Sequence, residues 1–75
     1  MAWSIGDECT VQPDNDIARH KSSQRFFGEP CEVIGLQPEY ELIVVRLLYD
    51  HSVRDAFPWY NIVPFVDDPI IGRFL

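Results

Sequence analysis

The sequence predicts one small all-β domain of about five antiparallel strands, and three observations support this prediction. Residues 40–49 are rich in β-branched and aromatic side chains, as strands are. Six Pro and four Gly in 75 residues suit short strands joined by turns. Ten aromatic residues (five Phe, three Tyr and two Trp) supply the large buried area that so short a chain needs for a core.

Each strand is placed by its alternation of side chains and by the turn residues that bound it. The predicted strands are residues 6–12, 31–36, 40–49, 53–57 and 62–66. Gly35 is expected to mark a bulge or tight bend. Trp59, Tyr60 and Asn61 are expected to form a single 3₁₀ turn before the last strand.

The connection between the first two strands, residues 13–29, is predicted to be a long polar loop without secondary structure. Its start, Pro13-Asp14-Asn15-Asp16, consists of turn residues. Phe26 and Phe27 lie near its end and are expected to anchor it to the body of the domain.

The strand register predicts which side chains form the core, because successive residues of a strand point to opposite faces. The expected core residues are Cys9, Val33, Val45, Leu47, Phe57 and Ile62. The opposite face of the strongest strand carries Leu42, Val44 and Leu48 around Arg46. An antiparallel strand with one solvated face alternates apolar with polar, so this second apolar face is expected to be covered by the loop or tail, or to meet another chain.

Cys9 and Cys31 are too few for a disulfide framework and fall at core-facing positions. We therefore expect two reduced, buried thiols that act as small apolar side chains. The alternative is a redox pair, or a metal site that includes His20 and His51. No Cys-x-x-Cys spacing supports metal binding, and neither a metal nor a cofactor is expected.

The charge distribution disfavours nucleic acid and leaves one basic stretch. The net charge is −6, whereas phosphate contacts need clustered positive charge. Residues 17–28 nevertheless contain Arg19, Lys21 and Arg25 and no acid. This stretch is expected to be a solvated loop, with anion binding as the alternative.

Targeting and membrane signals are also absent from the sequence pattern. The sequence has no run of about 18 apolar residues, the length that a transmembrane helix needs. Its first residues lack the basic and apolar regions of a signal peptide. A cytoplasmic location without membrane contact is therefore expected.

Two motifs resemble those of a known group of folds. Residues 6–11, Gly-Asp-Glu-Cys-Thr-Val, match the opening pattern Gly-Asp-x-hydrophobic-x-Val, and residues 57–64, Phe-Pro-Trp-Tyr-Asn-Ile-Val-Pro, match hydrophobic-Pro-x-x-Asn-hydrophobic-x-Pro. Together they resemble SH3-like small β-barrels, the superfamily that includes KOW and Tudor modules and small accessory subunits. The resemblance covers residues 5–66 and implies a barrel there. The predicted domain spans residues 1–66 and is followed by an apolar tail over residues 67–75.

Catalysis is not expected, because no nucleophile or base has a partner that would hold it in a cleft. Ser22 and Ser23 lie near His20 in a loop, and His51 lies in a tight turn. The resemblance and the exposed aromatic residues favour binding instead.

Trp59 and Tyr60 occupy the two variable positions of the closing pattern, where side chains are expected to be partly exposed. Trp and Tyr are enriched in binding hot spots. We therefore expect an adaptor or accessory subunit that binds a protein partner or a second copy. The expected partner-binding residues are Trp59, Tyr60, Leu42, Val44, Leu48 and, in the tail, Phe74.

Two alternatives remain open. In the first, Trp59 packs on the tail or on Trp3 and binds nothing. In the second, the basic loop contacts an anion or RNA as a translation-associated module. In the second case the anion-binding residues would be Arg19, Lys21 and Arg25.

Overall fold

The protein folds into one antiparallel sheet of five strands in the order β4-β3-β2-β1-β5, as seen in a computed structural model that describes residues 3–65. The strands are β1 (Glu8–Val11), β2 (Cys31–Gln37), β3 (Leu42–Leu47), β4 (Arg54–Pro58) and β5 (Ile62–Pro64). The all-β prediction is confirmed. The tail at 67–75, with Phe74, lies outside the described residues.

Within residues 3–65, three short helical segments lie between consecutive strands: α1 (Lys21–Gln24) and two 3₁₀ turns, Pro38–Tyr40 and Trp59–Asn61. The second 3₁₀ turn confirms the prediction for these residues. Helix α1 corrects the prediction of an unstructured loop at residues 13–29. It forms because Ser23 and Phe26 are buried against the sheet, which a purely solvated loop would not allow.

The strand register confirms the bulge at Gly35. Val33 lies opposite Val45, but Gly35, two residues later, lies opposite Val44, so the pairing of β2 with β3 shifts between Val33 and Gly35. A Cβ atom on Gly35 would lie 3.2 Å from the Cβ of Val44, which explains why the bulge carries no side chain.

The predicted core is confirmed and is larger than predicted. Cys9, Val33, Val45, Leu47, Phe57 and Ile62 are all buried, together with Val11, Cys31, Ile43 and Phe26. Phe26 lies outside the strands and meets Phe57 edge to face, with ring centroids 5.1 Å apart. All five strands contribute to this one cluster, so a single sheet curves around it. Tyr49, which shares the predicted inward face of β3, lies past the end of that strand and is exposed.

The sheet has two edges, because β4 and β5 do not pair with each other. The β4 edge is poorly suited to pairing with another strand. Pro58 has no N–H to donate, and the N–H of Ala56 donates to Oδ1 of its neighbour Asp55 at 2.8 Å. The β5 edge is only three residues long and ends in Pro64. Among residues 3–65, no helix is long and apolar enough to cross a membrane.

Candidate partner-binding surface

The second 3₁₀ turn, called here the aromatic turn (Trp59–Asn61), is held at both ends by backbone hydrogen bonds. The N–H of Trp59 donates to the carbonyl of Glu41 at 2.9 Å, and the N–H of Ile62 donates to the carbonyl of Trp59. Pro58 precedes the turn with φ −54° and ψ 142°, a conformation that proline favours. The turn therefore stands in a defined position at the end of β4.

Asn61 anchors the aromatic turn to the end of β1. Its carbonyl accepts the N–H of Gln12 at 2.7 Å, and its side-chain Nδ2 donates to the carbonyl of Gln12 at 3.0 Å. Its side chain is 3% exposed. The Asn of the closing sequence pattern thus holds the turn in place, while the two residues before it remain outside.

Trp59 and Tyr60 are 47% and 55% exposed, as their positions in the closing pattern predicted. Their ring centroids lie 5.9 Å apart with a tilt of 48°, so the two rings form one continuous surface. Tyr40 is 70% exposed and directly precedes Glu41, whose carbonyl accepts the hydrogen bond from the N–H of Trp59. Trp3 is partly buried and packs against the core.

Leu42 and Val44 lie on the outer face of β3 but are half-buried rather than fully exposed. Leu42 lies opposite Pro58, so it adjoins the aromatic turn, and Val44 lies opposite Ala56 and Gly35. These neighbours are small or flat, so the outer face is shallow and apolar at this end of the sheet.

Leu48 is placed differently from Leu42 and Val44. It is exposed, but it follows the end of β3, and the six residues from Leu42 span about 20 Å of extended chain. Between them, Nη2 of Arg46 pairs with Oε1 of Glu32 at 2.8 Å across the same face. Leu48 is therefore separated from the aromatic turn by a polar row.

The basic loop is exposed, but its charges are not grouped into one positive patch. Arg25 and Arg54 line an open groove of about 410 Å³ together with two carboxylates, those of Asp50 and Asp55. The pKa of Asp50 is lowered, first by hydrogen bonds from Ser52 and also by the charge of Arg25. Arg19 and Lys21 lie on the preceding loop and α1 and do not line that groove.

An open pocket of about 500 Å³ lies where the aromatic turn meets the start of the first loop. We call it the acidic pocket; it is lined by Gln12, Pro13, Asp14, Asp16, Tyr60 and Asn61. Sequence reasoning interpreted residues 13–16 only as turn formers and missed this site. The turn interpretation is correct for Asp14, whose Oδ1 accepts the N–H groups of Asp16 and Ile17 at 2.9 and 3.1 Å. No pattern signals the pocket, since Tyr60 and Asp14 are 46 positions apart and meet only through the Asn61–Gln12 contact.

Hydrogen bonds favour the ionised carboxylate of Asp14, one of the residues that line the acidic pocket. The pKa of Asp14 is lowered, mainly by the hydrogen bond from the backbone of Ile17 and next by one from the side chain of Asn61. Among residues 3–65, no Lys, Arg or His lines the pocket.

Within residues 3–65, the two cysteines lie in the core, away from solvent. Cys9 and Cys31 lie directly opposite each other on β1 and β2 as buried free thiols. Burial raises the pKa of Cys9 to about 12 and that of Cys31 to about 11, so neither forms a thiolate readily at neutral pH. Within residues 3–65, no three His, Cys, Asp or Glu side chains are grouped so that they could hold a metal ion.

Comparison of the chain with protein-family models, curated proteins and solved structures finds no match.

Proposed function

We propose that this chain is a non-catalytic protein-interaction module or small accessory subunit. It binds a protein partner, or a second copy of itself, through the aromatic turn and the apolar outer face beside it. The observation that carries the proposal is the pair of adjoining, half-exposed rings of Trp59 and Tyr60 on a turn that hydrogen bonds hold at both ends. Rigid aromatic residues lose little entropy on binding and bury a large area.

The shape of the surrounding surface supports this proposal. Tyr40 and Leu42 flank Glu41, whose carbonyl accepts the N–H of Trp59, and Leu42 pairs with Pro58, so these residues lie at the same end of the sheet. Exposed apolar groups that adjoin one another, rather than being scattered, usually mark an interface. Because both sheet edges are short or protected, a partner is expected to dock on this surface rather than extend the sheet.

We also propose that the sheet belongs to an SH3-like small barrel. In support, β1 pairs with both β2 and β5, so the last strand returns beside the first, and the inner faces of all five strands share one core. Closure of the barrel would require contact between β4 and β5.

The anion- or RNA-binding alternative through Arg19, Lys21 and Arg25 has less support. Arg25 shares its groove with Arg54 and with the carboxylates of Asp50 and Asp55, and the chain as a whole carries a net charge of −6. The two acids offset the positive charge that phosphate contacts would need at this groove.

The proposal is tested by measuring association of the full chain by sedimentation and by affinity enrichment from cell extract, at two salt concentrations. We expect that Trp59→Ser and Tyr60→Ser each abolish association, with little dependence on salt. The matched control is Tyr49→Ser, because Tyr49 is also an exposed aromatic residue but lies away from the turn. If instead a variant with Arg19, Lys21 and Arg25 all changed to Gln loses binding, and that binding falls steeply with salt, the alternative is correct.

A further inference from the structure

We propose that Cys9 and Cys31 are a redox-sensitive pair, which a low-molecular-weight disulfide such as oxidised glutathione converts into a reversible disulfide between β1 and β2. Such a bond would fix the two strands to each other and stabilise the sheet. The inference goes beyond the proposed function, since it concerns the core of the sheet and not the aromatic turn. It is carried by the register of the two strands, the burial of both thiols and the length of chain between them.

The strand register brings the backbones of the two cysteines to the separation that a disulfide needs. Cys9 lies directly opposite Cys31 in the antiparallel pairing of β1 with β2. In the same register, the N–H of Val33 donates to the carbonyl of Asp7 at 2.9 Å, and hydrogen-bonded positions recur at every second residue. Cys9 and Cys31 therefore form a hydrogen-bonded pair, whose Cα atoms lie about 5.5 Å apart. A disulfide spans Cα separations of roughly 4.4–6.8 Å.

The side chains of the pair meet on the inner face of the sheet. Cys9 and Cys31 are both fully buried in the core, and both are free thiols. The pKa of Cys9 is raised first by burial and next by the charge of Cys31, as expected for two neighbouring thiols.

A small adjustment converts this arrangement into a disulfide. Opposed residues of a strand pair have Cβ atoms about 4.5–5.5 Å apart, whereas a disulfide needs about 3.5–4.5 Å. The Cys31 thiol also gives up a weak contact, in which it donates to the carbonyl of Glu29 at 3.4 Å. Because the strands must approach slightly, the bond is easily reduced again, as a reversible switch requires.

The oxidation is a thiol–disulfide exchange in two steps. One protein thiolate attacks a sulfur of oxidised glutathione, so that one glutathione leaves as a thiolate and the other remains bound in a mixed disulfide. The second protein thiolate then attacks the protein sulfur of that mixed disulfide and releases the second glutathione. The two protein thiols lose two protons and two electrons, and the two glutathione molecules gain them as free thiols.

Burial makes the first step depend on a local opening of the sheet. Neither thiol is accessible to an oxidant of this size in the folded chain. Exchange needs an accessible thiolate, so it proceeds from molecules in which β1 has separated from β2. The new bond closes residues 9–31 into a loop. Closing a loop of this length restricts the unfolded chain and so stabilises the folded protein.

The test is incubation of the full chain with mixtures of reduced and oxidised glutathione, followed by acid quenching and mass spectrometry. We expect a product without cross-links between chains that is two hydrogen atoms lighter, and that dithiothreitol converts back to the starting mass. A sub-denaturing concentration of urea should speed its formation, because urea favours the opened form. The urea midpoint of the oxidised protein should exceed that of the reduced protein by about 1 M.

Cys9→Ala and Cys31→Ala are the matched controls, because each keeps a small apolar side chain in the core and leaves one thiol. Each should stop at the mixed disulfide with one glutathione, and neither should gain the raised urea midpoint. The native chain carries the decisive measurement, so the test does not depend on the folding of either variant. The proposal is overturned if the native chain yields only mixed disulfides or cross-linked dimers, or if its internal disulfide lowers the urea midpoint.

Discussion

Asn61 and Gln12 are joined by two hydrogen bonds across 49 positions of sequence: the Gln12 N–H donates to the Asn61 carbonyl, and Asn61 Nδ2 donates to the Gln12 carbonyl. This contact holds the aromatic turn against the end of β1. It also creates the acidic pocket, because it places Tyr60 beside the first loop.

Asn61→Ala is expected to lower the free energy of unfolding by about 1–2 kcal/mol, because it leaves the Gln12 carbonyl without its side-chain donor. The change is measured by urea denaturation. Asn15→Ala, at an exposed position of the first loop, is the control and should cost less than about 0.5 kcal/mol. Equal costs for the two variants would mean that the Asn61 side chain does not hold the turn.

Val45 and Val44 are adjacent residues of the same type on opposite faces of β3, so they test the register directly. Val45→Ala is expected to cost about 1–3 kcal/mol of unfolding free energy, because Val45 is fully buried and truncation leaves a cavity. Val44→Ala should cost less than about 1 kcal/mol, because Val44 is only half-buried. Thermal and urea unfolding give both values, and a larger cost at Val44 would contradict the register.

Gly35→Ala is expected to destabilise the sheet by about 1 kcal/mol, because the new Cβ would lie 3.2 Å from the Cβ of Val44. The double variant Gly35→Ala with Val44→Ala removes the Cγ atoms of Val44 but keeps the Cβ of residue 44. The double variant is therefore expected to cost less than the sum of the single variants. Strict additivity in this double-mutant cycle would show that Cγ2 of Val44, which would lie 3.3 Å from the new Cβ, does not resist a side chain at Gly35.

Stability is expected to fall at alkaline pH as the two cysteines ionise. Their folded pKa values are raised above the ordinary 9.0, to about 12 for Cys9 and about 11 for Cys31. A raised pKa means that the unfolded chain loses these protons first. The stabilisation is thus complete below pH 9 and is lost as pH rises from about 9 to about 12.

The measurement is unfolding free energy against pH for the native chain and for the variant with both cysteines changed to Ala. The two proteins differ only at the cysteines, so the double variant should show the shallower decline above pH 9. Parallel curves for the two proteins would contradict buried thiols with raised pKa values. The same burial predicts that thiol labelling is slow in the folded protein and complete after unfolding.

Local patterns in the sequence were sufficient to predict the strands, the bulge at Gly35 and the aromatic turn. Each depends on a few neighbouring residues: alternation defines the inward face that buries Val45 and Leu47, a glycine permits the bulge, and proline sets the start of the turn. The exposure of Trp59 and Tyr60 followed from the same reasoning, since their neighbours Phe57 and Ile62 point inward.

Long-range contacts decided the rest. Helix α1 and the burial of Phe26 depend on the space left over Phe57, and the separation of Leu48 from Leu42 depends on the ion pair between Arg46 and Glu32. The pocket of Asp14, Asp16 and Tyr60 exists only because Asn61 meets Gln12. Sequence by itself determined which residues could form strands and turns, since those preferences are local. Only the tertiary structure determined which side chains share a site, because that depends on the pairing of strands far apart in the chain.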